Sequence, residues 1–532
     1  MNLLKLSSAI MAFFLFLNLQ GCGLNENDEK HISPNIVYIL ADDLGVGDLS
    51  CYNQDSKIQT PNIDKLASEG MRYLDAHSGA SVCTPTRYGL LTGRYCWRTG
   101  LKERVLSGYD PGLIPEDRET VARLLKRNGY YTALVGKWHL GLDWQCKPGE
   151  NIPDIKNDIT ESEEIIDFSK PITTGPLQAG FEYFYGLAAS WDFPPYIFIE
   201  NDMIVEEPAI KKGGWVKNYF PELPPEEVTR SNRNIPLSWW REGYASPNIK
   251  AEDAVKIITE KSIELIEKQD ENEPLFLMVS YTAPHTPVVP RDEFLGISEC
   301  GIYGDFCSEL DYAVGEIIAA LKKKNVFENT IFIFTADNGA SLRAIPRAKQ
   351  KEFNHRPSQI YKGYKANLAE GGHRVPFIVS WPAKIQSNTR SNALVSLNDL
   401  YATCAELLGE SPQPDASEDS FSMLSSWMSE KEEPDSLRIV IHNDFRGYFG
   451  VRKGDWKLIY PMEGKEIALY NLKSDPAEKD NLLHKYPGKV QELTGDLTAA
   501  IENGRTTEGP VQVNTDGNYW EQTYWMDNSP GN

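Results

Sequence analysis

The sequence predicts an α/β protein: a large domain with a mostly parallel central sheet flanked by helices, then a smaller C-terminal α+β domain with an antiparallel sheet. Three observations predict it. Short apolar, β-branched runs alternate with amphipathic stretches through the first two-thirds of the chain. Several of those runs end in acids, amides, a lysine or histidines, at the carboxyl edge where open α/β sheets place their sites. Toward the C-terminus the pattern changes to short strand-like runs separated by turn signals.

Residues 35–40 form an apolar run and are predicted as a buried strand. Residues 117–127 read as a helix, with Val121, Leu124 and Leu125 on one face and Gly129 as the stop. A strand at 131–135 follows. Residues 251–268 are a longer helix, leading into a strand at 275–280. Leu310, Val314, Ile317 and Leu321 stripe a helix over 308–323. Further strands are predicted at 330–334 and 377–380. Residues 409–418 are polar and Pro-rich and read as a link. Beyond it, 438–442, 448–452 and 456–460 are the strand-like runs of the C-terminal sheet. Residues 151–241 are rich in Pro and aromatics without clean periodicity and read as long loops over the site.

The first 22 residues read as a targeting segment. Lys5 supplies a basic start, and residues 9–19 are apolar and uncharged, too short for an ordinary spanning helix. The run ends in Leu19-Gln20-Gly21-Cys22, which resembles a bacterial lipobox, with plain secretory cleavage as the alternative. Residues 23–33 are then a polar tether, 34–430 the catalytic domain and 431–532 the C-terminal subdomain. The expected location is outside the cytoplasm, as a periplasmic or cell-surface lipoprotein held only by an N-terminal lipid.

Net charge is −22. That argues against a nucleic-acid partner, which needs a basic footprint. The eight cysteines contain no CxxC pair, so zinc-ribbon and thioredoxin-like sites are not expected. Export permits disulfides, and Cys300 with Cys307 is a plausible loop.

Four predicted strands carry the chemistry. They lead to Asp42 and Asp43, to Lys137 and His139, to His285, and to Asp337 and Asn338. Asp42, Asp43, Asp337 and Asn338 offer only oxygen, the donor set of a hard cation such as Ca2+, with Mg2+ as the alternative. Either pair alone reads better as a solvated turn. Together, each after a buried strand, they favour a metal. Cys83-Thr84-Pro85-Thr86-Arg87 places a cysteine near a helix N-terminus, because Pro85 suits a first turn. Arg87 lies one turn on. An isolated cysteine there would read as buried or disulfide-bonded.

These motifs resemble the type I sulfatases of the alkaline phosphatase superfamily. Ile36-Val37-Tyr38-Ile39-Leu40-Ala41-Asp42-Asp43 is similar to the family's first metal motif, and Cys83-Thr84-Pro85-Thr86-Arg87 to its C-x-P-S/T-R signature. Gly136-Lys137-Trp138-His139, Ala283-Pro284-His285, Thr335-Ala336-Asp337-Asn338-Gly339, Lys365 through Pro376 and Asn471 through Glu478 follow in the family's order. The resemblance implies hydrolysis of a sulfate ester, with a sugar as the expected alcohol. It implies that a maturation enzyme oxidises Cys83 to formylglycine, whose hydrate attacks sulfur and later releases sulfate by collapse. Asp42, Asp43, Asp337, Asn338 and the modified Cys83 would hold Ca2+, and Asp337 would also help remove the diol proton. Arg87 and Lys137 would hold formylglycine, and His139 would be the base for collapse. His285 and Lys365 would face the leaving group, with His285 as general acid. Ser190 falls near a sulfate-contacting serine.

Expected substrate contacts extend to His373, Arg374, His442 and Asn443. Trp191, Tyr196, Trp239 and Trp240 either stack on sugars or form loop core. The alternatives are a phosphodiesterase or phosphonate hydrolase of the same superfamily, and a non-catalytic glycan-binding lipoprotein.

Overall fold

The computed structural model describes residues 33–150, 163–215, 239–428 and 438–526. The targeting segment, Cys22 and nearly all of the tether lie outside the described residues, as do the side chains of Trp239 and Trp240.

The chain forms β1 (Asn35–Ala41), β2 (Met71–His77), β3 (Tyr131–Lys137), β4 (Tyr183–Leu187), β5 (Ile199–Glu200), β6 (Met203–Ile204), β7 (Ile210–Trp215), β8 (Trp239–Ala245), β9 (Leu275–Ser280), β10 (Thr330–Ala336), β11 (Phe377–Ser380) and β12 (Thr389–Ser396). Ten of these build one sheet in the order β12-β2-β11-β10-β1-β9-β3-β4-β5-β6. From β10 through β4 every pairing is parallel, and β11 runs against both of its neighbours. β1, β9 and β10 are buried at every residue. That explains why they read as unbroken apolar runs: helices cover both faces of the sheet, so alternation has no purpose. β7 and β8 pair separately as a two-stranded ribbon.

The C-terminal sheet is an antiparallel meander of β13 (Ile439–Asn443), β14 (Phe449–Lys453), β15 (Trp456–Tyr460) and β16 (Ala468–Asn471). It packs on the helix Pro487–Glu502 around Ile441, Phe449, Leu458, Leu493 and Leu497, and Tyr95 and Trp97 of the large domain join that core.

Several sequence expectations are revised. The helix expected over 117–127 is Val121–Arg127, because the Thr120 side chain accepts from the Arg123 N–H and caps it there. The helix expected from 308 begins at Gly301. Residues 409–418 are not a free link. Glu418 is fully buried, with Arg94 at 2.7 Å and Arg118 at 3.0 Å, so its end is clamped to the large domain. Cys300 and Cys307 are both free thiols, at the start and in the body of one helix. β2, β4 through β8, β12 and β16 were not anticipated, and β4, β5, β6 and β7 lie in the stretch read as loop.

Candidate active site

β10, β1, β9 and β3 are neighbours in the sheet, so the four polar strand ends meet at one edge. The Asp42 N–H donates to the Ala283 carbonyl at 3.0 Å, and the Asp337 N–H to the Ala41 carbonyl at 3.1 Å, which stitches the chain beyond the strands. Asp43 and His139 adopt left-handed backbone, with φ of 65° and 60°. Each such residue costs about 1–2 kcal/mol when it is not glycine. Both are held: the Asp43 N–H donates to Asp337 Oδ1 at 3.2 Å and the His139 N–H to the Ala188 carbonyl at 3.0 Å. Cys83 approaches as the first residue of the helix Cys83–Thr92.

Three cations and three carboxylates interlock. Arg87 grips Asp337 Oδ2 through Nε (3.1 Å) and Nη2 (2.8 Å), and also donates to Ser280 Oγ. Lys137 Nζ lies 2.6 Å from Asp42 Oδ2, and Lys365 Nζ 2.6 Å from Asp43 Oδ1. Burial raises the Asp42 carboxyl, but Lys137 and His285 outweigh it and hold its pKa below the ordinary range. Lys365 Nζ also lies 3.2 Å from Cys83 Sγ. Even so, burial pushes the Cys83 thiol up to about 12, against the pull of Lys137 and Lys365. At neutral pH an unmodified Cys83 is a protonated thiol and a poor nucleophile.

The histidines differ in how they are fixed. His139 Nε2 faces the Leu106 carbonyl at 2.8 Å, so that nitrogen carries the proton and buried Nδ1 is left bare. Burial, then Lys137 and Arg87, lower its pKa well below the ordinary value, so it stands as a neutral base. His285 Nδ1 donates to the Thr286 carbonyl, leaving Nε2 3.6 Å from Asp43 Oδ2.

A hard cation fits this crevice. Asn338 Nδ2 donates to Asp43 Oδ1 (2.8 Å) and to the Gly339 carbonyl (2.9 Å), which identifies Asn338 Oδ1 as the free oxygen. Asn338 Oδ1 and Asp43 Oδ2 are both buried without a hydrogen-bond partner among the described residues. Two orphaned oxygens beside Asp42 and Asp337 are costly unless a cation meets them. Donor atoms of Asp42, Asp43, Cys83 and His285 lie within 4.8 Å of one another, which places Cys83 against the same point.

The sulfatase family model matches residues 34–410. The chain belongs to the sulfatase family. A second model, for the C-terminal part of N-sulphoglucosamine sulphohydrolase, matches residues 364–507. An N-acetylgalactosamine-6-O-sulfatase of Bacteroides thetaiotaomicron is 35% identical over 514 residues, spanning 90% of this chain and 95% of that one. The human N-acetylgalactosamine-6-sulfatase is 30% identical and spans 92% of this chain and 89% of its own. A solved 6S-sulfatase of B. thetaiotaomicron, described in work on glycosaminoglycan metabolism, aligns with a TM-score of 0.75 at 33% identity, over 88% of this chain and 99% of that one.

In this sulfatase the crevice opens into a cavity of about 560 Å3, within the usual range for small-molecule sites. Cys83, His139, His285, Lys365 and Ser190 all line it. Ser190 is buried and donates to Asp192 Oδ1 at 2.9 Å. His373, Arg374 and His442 do not line it. They are buried beneath the C-terminal sheet, where His373 and His442 stack at 3.6 Å and Arg374 pairs with Asp75 and Glu370. Asn443 uses its carbonyl to bind the Ser81 N–H at 2.9 Å. Trp191 and Tyr196 are loop core, stacked on each other and almost fully buried. Sequence reading missed Arg104, Arg241, Arg343 and Phe445, which do line the cavity. None sits at the carboxyl end of a strand in the parallel part of the sheet, so no signal marked them.

Proposed function

We propose that this sulfatase hydrolyses the 6-sulfate of an N-acetylgalactosamine-type sugar, with Cys83 converted to formylglycine by a maturation enzyme and Ca2+ held by Asp42, Asp43, Asp337 and Asn338. One observation carries the reading: a thiol kept protonated by burial stands against a cluster of unsatisfied oxygens at the floor of the cavity. A cysteine so placed is inert as a thiol, and its position has a use once it becomes an aldehyde. The sugar follows from the two relatives named for that sulfate, each similar along nearly its whole length.

Formylglycine supplies a hydrated aldehyde oxygen as nucleophile. Bound Ca2+ supplies charge stabilisation and a lowered hydroxyl pKa. The remaining work belongs to side chains. Arg87 fixes the Asp337 carboxylate, which is positioned to take a proton near Cys83. Lys137 and Lys365 balance negative charge at the sulfur-bearing end. His139 Nδ1, bare and neutral, accepts the hydroxyl proton as sulfate leaves. His285, whose Nδ1–H is tied to the Thr286 carbonyl, donates from Nε2 to the departing sugar oxygen when the ring carries both protons. Ser190 lies where it can contact the ester. The same reading places the enzyme outside the cytoplasm as an exported lipoprotein.

The test uses protein matured in its native host and supplied with Ca2+. It should desulfate N-acetylgalactosamine 6-sulfate and leave the corresponding 6-phosphate far less changed. Cys83→Ala should lower kcat/KM by about 10^4-fold or more. A peptide map of the active enzyme that finds only a thiol at position 83 overturns the mechanism.

A further inference from the structure

Just beyond Asp43 the chain turns over another carboxylate, Asp48, which takes no part in the chemistry above. Asp48 is fully buried, and both of its oxygens are filled. Oδ2 accepts from the Gly45 N–H at 2.8 Å and from the Tyr303 hydroxyl at 2.7 Å, and Oδ1 lies 2.7 Å from His355 Nε2. The Lys57 N–H, which can only donate, reaches His355 Nδ1 at 3.3 Å, so Nδ1 is the acceptor and Nε2 carries the proton given to Asp48. Burial, then Asp48 itself, push the Tyr303 phenol well above its ordinary value, so it too stays a donor. Among the described residues no lysine or arginine pairs with Asp48. A buried carboxylate met only by neutral donors is costly to keep, which directs attention to what it holds.

It holds the turn that presents Asp43. Gly45 stands two residues past Asp43, whose backbone is left-handed and whose Oδ2 has no hydrogen-bond partner among the described residues. The Asp48 N–H returns to the Gly45 carbonyl at 3.1 Å, so Gly45 is held through both its N–H and its carbonyl. The Gly47 N–H donates to the Pro357 carbonyl at 2.6 Å. A Cβ on Gly45 would stand 2.3 Å from the Pro357 oxygen, and one on Gly47 2.1 Å from the Arg356 oxygen, so the turn lies directly on the segment that carries His355. Asp48 therefore ties the turn to two distant parts of the chain: the helix Gly301–Lys323 through Tyr303, and residues 355–357 through His355. Groups that ligate a metal are oriented by such outer partners, and losing one typically costs about 10–100-fold in metal affinity.

We infer that Asp48, with His355 and Tyr303 behind it, is a positioning residue for the cation site: it fixes the Gly45 turn so that Asp43 is already in place when the ion arrives. The inference rests on the reading of the crevice as a Ca2+ site and deepens it. Asp48 does not line the cavity, and its oxygens are committed to other donors, so it acts only through Asp43. Its loss should weaken the hold on Ca2+, and enzyme saturated with Ca2+ should recover most of its kcat.

The test is a calorimetric titration of Ca2+ into full-length protein freed of metal by a chelator, at a temperature where every variant is folded by circular dichroism. Asp48→Asn keeps the shape but turns one acceptor into a donor, so one of the three donors around it is left facing an N–H. The Ca2+ Kd should rise about 10–100-fold. Tyr303→Phe removes one donor of the three and should raise Kd about two- to tenfold. It decides the matter should Asp48→Asn not fold. Leu497→Ala opens the separate core under the C-terminal sheet; it should lower the unfolding temperature and leave Kd unchanged. In turnover, the Ca2+ concentration giving half the maximal rate should rise with Kd in Asp48→Asn. The inference is overturned if Asp48→Asn, or Tyr303→Phe in its place, binds Ca2+ as tightly as the unsubstituted protein, or if Leu497→Ala weakens binding as much. An unsubstituted protein that takes up no Ca2+ removes the metal reading along with it. If the shifts in Kd appear and the matured enzyme leaves N-acetylgalactosamine 6-sulfate intact, the positioning role stands and the proposed function fails.

Discussion

This sulfatase buries two clusters with the same charge ledger and opposite fates. The crevice sets Arg87, Lys137 and Lys365 against Asp42, Asp43 and Asp337. The second cluster, under the C-terminal sheet, sets Arg374, Arg452 and Lys457 against Asp75, Glu370 and Glu478, with His77, His373 and His442 among them. By residue type the second is the more tempting metal site. Its nitrogens are nevertheless occupied. His373 Nε2 lies between the Lys457 ammonium, at 2.9 Å, and the Leu368 carbonyl, at 3.1 Å, so it is engaged in either tautomer. His373 Nδ1 meets His77 Nδ1 at 3.0 Å, and His77 Nε2 lies 2.8 Å from Asp75 Oδ1 and 3.3 Å from Arg452 Nη1. The leftovers among the described residues are His442 Nε2, an acceptor or donor, Arg452 Nε, a donor that cannot meet a cation, and Glu478 Oε1, which has the Lys457 ammonium 3.0 Å away. The crevice leaves Asp43 Oδ2 and Asn338 Oδ1, two acceptors beside an open cavity. Buried charge alone does not make a site. Unmet oxygen valence with access does.

If that contrast is right, the second cluster is structural and should respond in stability. Lys457 lies 3.0 Å from both Glu370 and Glu478, all fully buried. Lys457→Met leaves the Glu478 carboxylate without its buried cation, while Glu370 keeps Arg374 and Arg452, and should lower the unfolding free energy by about 3–5 kcal/mol. Urea unfolding of the purified variant checks it. A loss below about 1 kcal/mol would mean that the cluster is not a clamp.

Acid provides the next test. Burial lowers the His77 pKa to about 4, and burial likewise holds His373 and His442 well below the ordinary value. The fold therefore keeps these rings neutral, while the unfolded chain takes up protons first. Stability is intact above about pH 6.5 and falls as pH drops toward 4, by about 3 kcal/mol for His77 alone. Arg374 and Lys457 outweigh burial and hold Asp75 and Glu370 below the usual carboxylate range, so those two add losses only under about pH 4. Unfolding midpoints between pH 7 and 4.5 measure the slope, and His77→Gln should make it shallower by about one bound proton. A flat profile in the unsubstituted enzyme removes the argument.

The same contrast explains what the sequence could reveal. Strand ends were legible because a buried parallel strand reads as an apolar run and stops sharply, so Asp42, Lys137 and Asp337 stood out at the ends of β1, β3 and β10. β2 and β12 went unread, since their mixed burial gives neither a run nor a clean alternation. His373 and Arg374 follow a glycine-rich turn beside the crevice, and in one dimension that looks like membership. In three, Glu370 draws Arg374 to itself at 2.7 Å, and Lys457, from a strand more than eighty residues on, closes over His373. Arg104 and Arg343 depend on loop geometry, and Arg241 on the separate β7–β8 ribbon, which periodicity does not place at the crevice.

Cations divide the two clusters most directly. Ca2+ prefers oxygen donors, and Zn2+ prefers imidazole and thiolate. The crevice should therefore take Ca2+, and the histidine cluster should take neither ion while Lys457 and Asp75 hold its nitrogens. Ca2+ at about a hundredfold excess over its Kd should add about 2.7 kcal/mol to the unfolding free energy. Asp43→Asn removes one of the two acceptors that have no other partner, so that gain should fall steeply in the variant, with or without modification of Cys83. His442→Ala should leave the Ca2+ gain unchanged, because that ring does not line the cavity and, among the described residues, hydrogen-bonds only the Ser78 carbonyl, at 3.1 Å. Thermal unfolding of the three proteins across a Ca2+ titration, repeated with Zn2+, reads all of this without a substrate. A gain that survives Asp43→Asn and disappears with His442→Ala would reverse the assignment, and the histidines would be the metal centre.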